Sequence, residues 1–260
     1  MELRQLILAT ATTAETGVVL SGLGAGAVVA IEFAVARRRQ LLPIDTAPEQ
    51  EATIGVPSDP ALRLVVLGDS TAAGVGVDRP ADTVGRQLAS LVARRRRRCV
   101  RVCSAAVTGS ASGDLGPQVS RALLTQPDIA VILVGLVDVL RLTPLREVAS
   151  NLGEVVRRLR SGGTGVVVGT CPDLGAAPAF AQPMRALLGR RGKRIGAVQT
   201  AVTEAFGGVP VDLAATTGRI FRADRGAYST DGLHPSADGY RLWAEALAMA
   251  IAVAGDPVPA

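Results

Sequence analysis

Three residues of this chain have the means to do nucleophilic chemistry together. Ser70 follows the run Leu62-Arg63-Leu64-Val65-Val66-Leu67-Gly68-Asp69, and His234, the only histidine, lies in Ser229-Thr230-Asp231-Gly232-Leu233-His234-Pro235-Ser236. A serine hydroxyl is a weak nucleophile near neutral pH unless a base takes its proton. Imidazole is the usual base, oriented by a carboxylate on its other nitrogen. Asp231 precedes His234 closely enough for one loop to bring its carboxylate to Nδ1 while Nε2 faces Ser70. Each piece alone has an ordinary explanation, since Asp69, Ser70 and Thr71 are common helix caps and a lone histidine is commonly a loop or core residue. Their joint occurrence favours acyl transfer.

Positioning these groups requires a strand, a sharp corner and a sheet edge. Leu62, Leu64, Val65, Val66 and Leu67 form a nearly continuous apolar run, the pattern of a parallel strand covered on both faces. Gly68 then permits a tight turn. A helix beginning after Asp69 would set Ser70 at the C-terminal edge of the sheet, near backbone N–H groups that favour negative charge. Further strands are predicted at Cys99–Cys103, Asp128–Val134, Thr164–Thr170 and Val209–Leu213. Helices are predicted at Thr83–Ala93, Asp114–Leu124, Leu145–Arg160 and Ala237–Ala252, with Met184–Phe206 helical but broken near Gly189–Gly192. Strands alternating with helices at this spacing predict an α/β, doubly wound parallel sheet of about five strands, with right-handed crossovers.

The sequence resembles the SGNH or GDSL hydrolase family over about residues 61 to 250. Gly68-Asp69-Ser70-Thr71 matches the family's first block, Val107-Thr108-Gly109-Ser110 its second, and Asp231 to Pro235 its last, Asp-Xaa-Xaa-His-Pro. The resemblance implies a flavodoxin-like strand order 2-1-3-4-5, with Ser70 as nucleophile, His234 as base and Asp231 as its orienter. It also implies the backbone N–H groups of Ser70 and Gly109 as oxyanion donors, and acyl esters or thioesters as substrates. Gly169 to Gly175 and Ala197 to Thr200 look like an actinobacterial, membrane-linked branch. One block departs: Gly135-Leu136-Val137-Asp138 stands where Gly-Xaa-Asn-Asp is usual, so Val137 replaces an asparagine amide. Loss of one oxyanion donor typically costs about a hundredfold to a thousandfold in kcat. A membrane-proximal binding or scaffold domain of the same fold, with weak or no catalysis, is therefore the competing reading.

The 260 residues allow one domain of about 200 residues with an appendage. Gly17 to Ala36 is a stretch of about 20 residues, long enough to cross a bilayer as a helix. Only Glu32 interrupts it, within reach of Arg37, Arg38 and Arg39. These arginines place residues 37 onward, and the catalytic domain, on the cytoplasmic side. Residues 41–60, rich in proline and acidic residues, are expected as a linker to a domain spanning 61–255. The formal charge of +5 comes with only 3% aromatic residues. Without aromatic side chains interleaved among the arginines there is no stacking platform for bases, so nucleic acid is not an expected partner. Arg94 to Arg98 has two readings: a solvated helix C-terminus favoured by the dipole, or a contact with anionic lipid. Cys99, Cys103 and Cys171 are odd in number and lack a CxxC spacing, which argues against a disulfide framework. No metal set and no cofactor fingerprint is expected; Gly74-Val75-Gly76 lacks the rest of a dinucleotide motif.

Overall fold

The computed structural model describes residues 47–56 and 61–254. The expected membrane span at 17–36 and the arginines flanking it lie outside the described residues.

A six-stranded sheet is built from β1 (Ala52–Ile54), β2 (Leu62–Gly68), β3 (Val100–Ser104), β4 (Ile129–Leu133), β5 (Gly165–Gly169) and β6 (Val209–Val211), in the order β1-β3-β2-β4-β5-β6. Strands β2 to β6 are parallel to their neighbours, and β1 is antiparallel to β3. The order implied for five strands is thus present, with one added edge strand. That strand comes from the stretch expected as linker. Gln50 ahead of it is also buried, its Nε2 donating to the Ala72 carbonyl at 2.8 Å. Backbone pairing and one buried amide draw residues 50–54 of the 41–60 stretch into the domain.

Period-two alternation explains how one strand serves two cores. Leu64 and Val66 of β2 point into a cluster with Leu88, Val92, Tyr240, Trp243 and Leu247. Val65 and Leu67 point into the opposite one with Leu115, Val119, Leu152 and Leu159. Each fully buried Val or Leu contributes about 1.5–3 kcal/mol, which makes β2 a firmly held support for Ser70. The first face is covered by α2 (Val84–Arg96) and α8 (Ala237–Ala254), the second by α3 (Leu115–Leu124) and α5 (Leu145–Ser161). Helix α2 shows why such segments are helical: Thr83 caps it through Arg86 N, and Val84, Leu88 and Val92 form a stripe four residues apart.

Three short or long elements depart from expectation. Helix α6 (Met184–Ala205) is continuous through Gly189 and Gly192. These glycines are contact points: a Cβ on Gly189 would lie 2.9 Å from Gly175 Cα. Close approach to the 171–175 loop, and not a break, explains them. Helices α4 (Leu136–Arg141) and α7 (Leu213–Ala223) were not legible from periodicity. The first is only six residues long. No disulfide joins the three cysteines; Cys99 and Cys171 are buried and Cys103 is half-buried.

Candidate active site

The corner after β2 depends on Gly68, whose φ of 138° is forbidden in practice to larger residues. A Cβ there would fall 1.8 Å from the Leu133 carbonyl oxygen of β4. The chain then opens the one-turn helix α1 (Ser70–Ala73), capped by the Asp69 side chain through Thr71 N at 2.9 Å and Thr71 Oγ1 at 2.7 Å. The capping role expected for this triplet is therefore present, and it falls to Asp69. Burial pushes the Asp69 carboxyl above its ordinary range, against the hydrogen bonds from Thr71. Ser70 is left facing the loop that follows α7.

That loop brings His234 and Asp231 to Ser70. His234 Nε2 lies 2.9 Å from Ser70 Oγ, and His234 Nδ1 lies 2.5 Å from Asp231 Oδ2. Asp231 also accepts from Ser229 Oγ at 2.7 Å, Leu233 N at 2.8 Å and His234 N at 2.9 Å. Partial burial opposes its ionisation, but the hydrogen bond and charge of His234, with the Leu233 and Ser229 donors, hold the carboxyl well below the usual carboxylate range. An ionised carboxylate only accepts, so Nδ1 carries the proton and Nε2 is free to accept from Ser70. Gly76 makes room for this ring: with φ of 104°, a Cβ there would sit 2.9 Å from His234 Cβ. Both Ser70 and His234 are 2% exposed.

The turn at Gly109 is drawn to the same edge. Ala105 N donates to Val66 O at 2.9 Å and Val107 N to Gly68 O at 3.1 Å, so the segment after β3 follows the end of β2. Arg141 Nη2 reaches the Gly109 carbonyl at 3.4 Å. Asp138 on α4 accepts from Ser112 N at 2.9 Å and Ser112 Oγ at 2.8 Å, joining α4 to the segment beyond the turn. Burial raises the Asp138 carboxyl, with the Ser112 hydrogen bonds opposing. Val137, at the position where the resemblance implies an amide, is 1% exposed on α4.

Beside His234 and Asp69 lies an apolar cavity with about 30 Å³ of open space, walled by Leu133, Leu136, Leu174, Phe221 and Trp243. Trp243 Nε1 is buried without a hydrogen-bond partner. Among the described residues no group of His, Cys, Asp and Glu is arranged to hold a metal ion.

Two glutamines support this edge: Gln118, not singled out from the sequence, and Gln199, noted there only as part of the Ala197 to Thr200 resemblance. Gln118 brackets the Gly68 peptide: its Oε1 accepts from Gly68 N at 2.8 Å, while Nε2 donates to Gly68 O and to Ser110 Oγ, each at 3.0 Å. One side chain thereby ties the Ser70 corner to the Gly109 turn. Gln199 joins the ends of β4 and β5, accepting from Cys171 N at 2.7 Å and donating to Val134 O at 2.8 Å. Both were detectable in principle as a polar residue inside the apolar stripe of a helix. Tyr240 adds a third tether, its hydroxyl donating to Val75 O at 2.6 Å.

The profile of the GDSL-like Lipase/Acylhydrolase family matches residues 66–242. The GDSL-like esterase Rv1075c of Mycobacterium tuberculosis is 39% identical over 207 residues, covering 78% of this chain and 65% of that protein, so the chain spans about two thirds of its relative's length. The lipase/acylhydrolase from Enterococcus faecalis superposes with a TM-score of 0.62 at 24% identity, covering 76% of this chain and 100% of that one. An acetylxylan esterase from Geobacillus stearothermophilus gives 0.59 at 20% identity, covering 76% and 96%. At these identities the two structures share the fold with this chain.

Proposed function

Since the chain belongs to the GDSL-like lipase/acylhydrolase family, we propose that it is a serine hydrolase that cleaves acyl esters or thioesters through Ser70, His234 and Asp231. The observation that carries this reading is the unbroken hydrogen-bonded series from Asp231 Oδ2 through both nitrogens of His234 to Ser70 Oγ, at 2.5 and 2.9 Å. Ser70 Oγ attacks the acyl carbonyl as His234 Nε2 takes its proton. The tetrahedral oxyanion is stabilised by the N–H groups of Ser70 and Gly109. Collapse expels the alcohol or thiol, protonated by His234, and leaves Ser70 acylated. Water, deprotonated by the same imidazole, then attacks the ester and releases the acid. Asp231 stays ionised throughout, holding the ring and balancing the imidazolium charge.

The cavity beside His234 supports an acyl subsite, because its lining is apolar and it adjoins the base. Its 30 Å³ admits only a few heavy atoms, so small acyl groups fit without movement of Phe221 or Leu174. Val137 leaves the oxyanion with backbone donors alone, and a slower enzyme than its amide-bearing relatives is expected.

A fluorophosphonate probe tests the reading, because it labels only an activated serine. Wild-type protein is expected to be labelled and to hydrolyse a short-chain aryl ester; Ser70→Ala and His234→Ala, folded, are expected to do neither. Asp231→Asn retains intermediate activity, since the base is still present but poorly oriented. Full activity in folded Ser70→Ala would overturn the mechanism, and unlabelled wild-type protein would favour a binding role.

A further inference from the structure

A side chain from outside residues 66–242, the stretch shared with the family, reaches the helix that Ser70 begins. Gln50 stands just ahead of β1 and is 4% exposed, while Glu49 and Glu51 on either side of it are exposed. Its amide enters a slot between α1 and α2. A Cβ on Gly85 would lie 2.5 Å from Gln50 Oε1, so the glycine in the first turn of α2 is what gives the amide room.

The backbone of α1 explains what the amide does in that slot. The carbonyls of Asp69, Ser70 and Thr71 accept from Ala73 N at 2.9 Å, Val75 N at 2.9 Å and Gly74 N at 3.2 Å. The Ala72 carbonyl accepts from Gln50 Nε2 at 2.8 Å. A single helical turn has too few internal hydrogen bonds to hold its own shape, and its last carbonyls need donors from outside. The amide also carries a cost, because Gln50 Oε1 is buried without a hydrogen-bond partner. Leucine or methionine would fill the slot without orphaning an acceptor. Packing alone therefore does not account for a glutamine here; its donor to Ala72 does.

We propose that Gln50 is a positioning residue for Ser70. By holding the Ala72 carbonyl it fixes the turn that aims Ser70 Oγ at His234 Nε2, 2.9 Å away. The proposal rests on the hydrolase reading, in which Ser70 is the nucleophile. The segment that carries Gln50 is held at the rim of the sheet by three β1 residues paired with β3, and by the exposed Glu51–Arg101 ion pair at 3.6 Å. Chain that precedes the family's shared stretch is thus a strap under the nucleophile turn, and the shared stretch without it lacks one of the turn's supports.

The test compares the full-length wild type with Gln50→Met, which removes the donor and keeps an unbranched side chain of similar length. A misplacement of about 1 Å is worth about a hundredfold in rate. On a short-chain aryl ester kcat is expected to fall by roughly tenfold to a hundredfold, with KM changed by less than about threefold. The rate of fluorophosphonate labelling at Ser70 is expected to fall by the same factor as kcat. Glu51→Gln, which removes an exposed ion pair from the same strap, is the control and is expected to keep all three values. Gln50→Asn retains an amide but withdraws it by one methylene, and is expected to lose rate in the same way whether or not Gln50→Met folds. Unchanged kcat and labelling in a folded Gln50 variant, with wild type labelled, would overturn the proposal and leave the hydrolase reading standing. A lowered Tm with unchanged kcat, or failure of both variants to fold, would make Gln50 a stabilising residue and overturn it equally. Wild-type protein that the probe does not label would overturn the hydrolase reading itself, and this proposal with it.

Discussion

Replacing Gln118 by methionine removes three hydrogen bonds while nearly preserving side-chain shape, and so isolates what this amide does for the catalytic corner. The Gly68 carbonyl retains the Val107 N–H at 3.1 Å, and the Ser110 hydroxyl can rotate to another acceptor. The Gly68 N–H, given to Gln118 at 2.8 Å, is left with nothing. One orphaned buried donor costs about 1–3 kcal/mol, and each ordinary lost bond about 0.5–1.5. A loss of about 2–4 kcal/mol is expected, lowering Tm by roughly 5–15 °C for a domain of this size. Because Gly68 precedes Ser70 closely and Ser110 adjoins the Gly109 turn, the proposed nucleophile and the proposed oxyanion donors lose their common brace. A misplacement of about 1 Å is worth about a hundredfold in rate, so kcat on a short aryl ester should fall by roughly tenfold to a hundredfold with KM changed much less. Differential scanning calorimetry and steady-state kinetics on the folded variant give both numbers. Unchanged Tm and unchanged kcat would refute the reasoning; a lowered Tm with unchanged kcat would make Gln118 purely a stabilising residue.

Val137→Asn places an amide at the position where the resemblance implies one and is expected to raise kcat by about tenfold to a hundredfold, less than the usual loss because its surroundings pack a valine; parallel Tm measurement reports the cost of burying an unpaired amide. Asp69→Asn keeps a capping oxygen for Thr71 while removing a buried carboxylate whose pKa is raised by burial. A raised folded-state pKa means that native protein holds the proton more tightly than unfolded protein, so this group's penalty grows as pH rises through the unfolded value near about 4 and on through the folded one. The variant is therefore expected to melt above wild type at neutral pH and to lose that advantage below about pH 4 in a pH series of melting curves.

The strand that carries Ser70 and the residues that meet there were legible in the sequence, because both depend on local order. A short, nearly continuous apolar run reads as a strand covered on both faces, Gly68 permits the turn, and Asp231 and His234 share one loop by proximity in sequence. Less local features were not legible. Gln118 and Gln199 show in the sequence only as polar residues within an apolar helical stripe, and what they hold is set by partners 50 and 65 residues away. The Gly189 and Gly192 positions suggest a break until the 171–175 loop is seen pressed against them. Ala52 to Ile54 has too few residues to show a period, and it becomes a strand because the β3 edge supplies its hydrogen bonds. Residue order determined which groups were available for acyl transfer; tertiary packing decided their distances, the braces that hold them, and the edge of the sheet at which the preceding chain is attached. The reason is physical: side-chain type and turn preference act over a few residues, whereas a buried amide or an edge strand is defined only by the distant backbone that pairs with it.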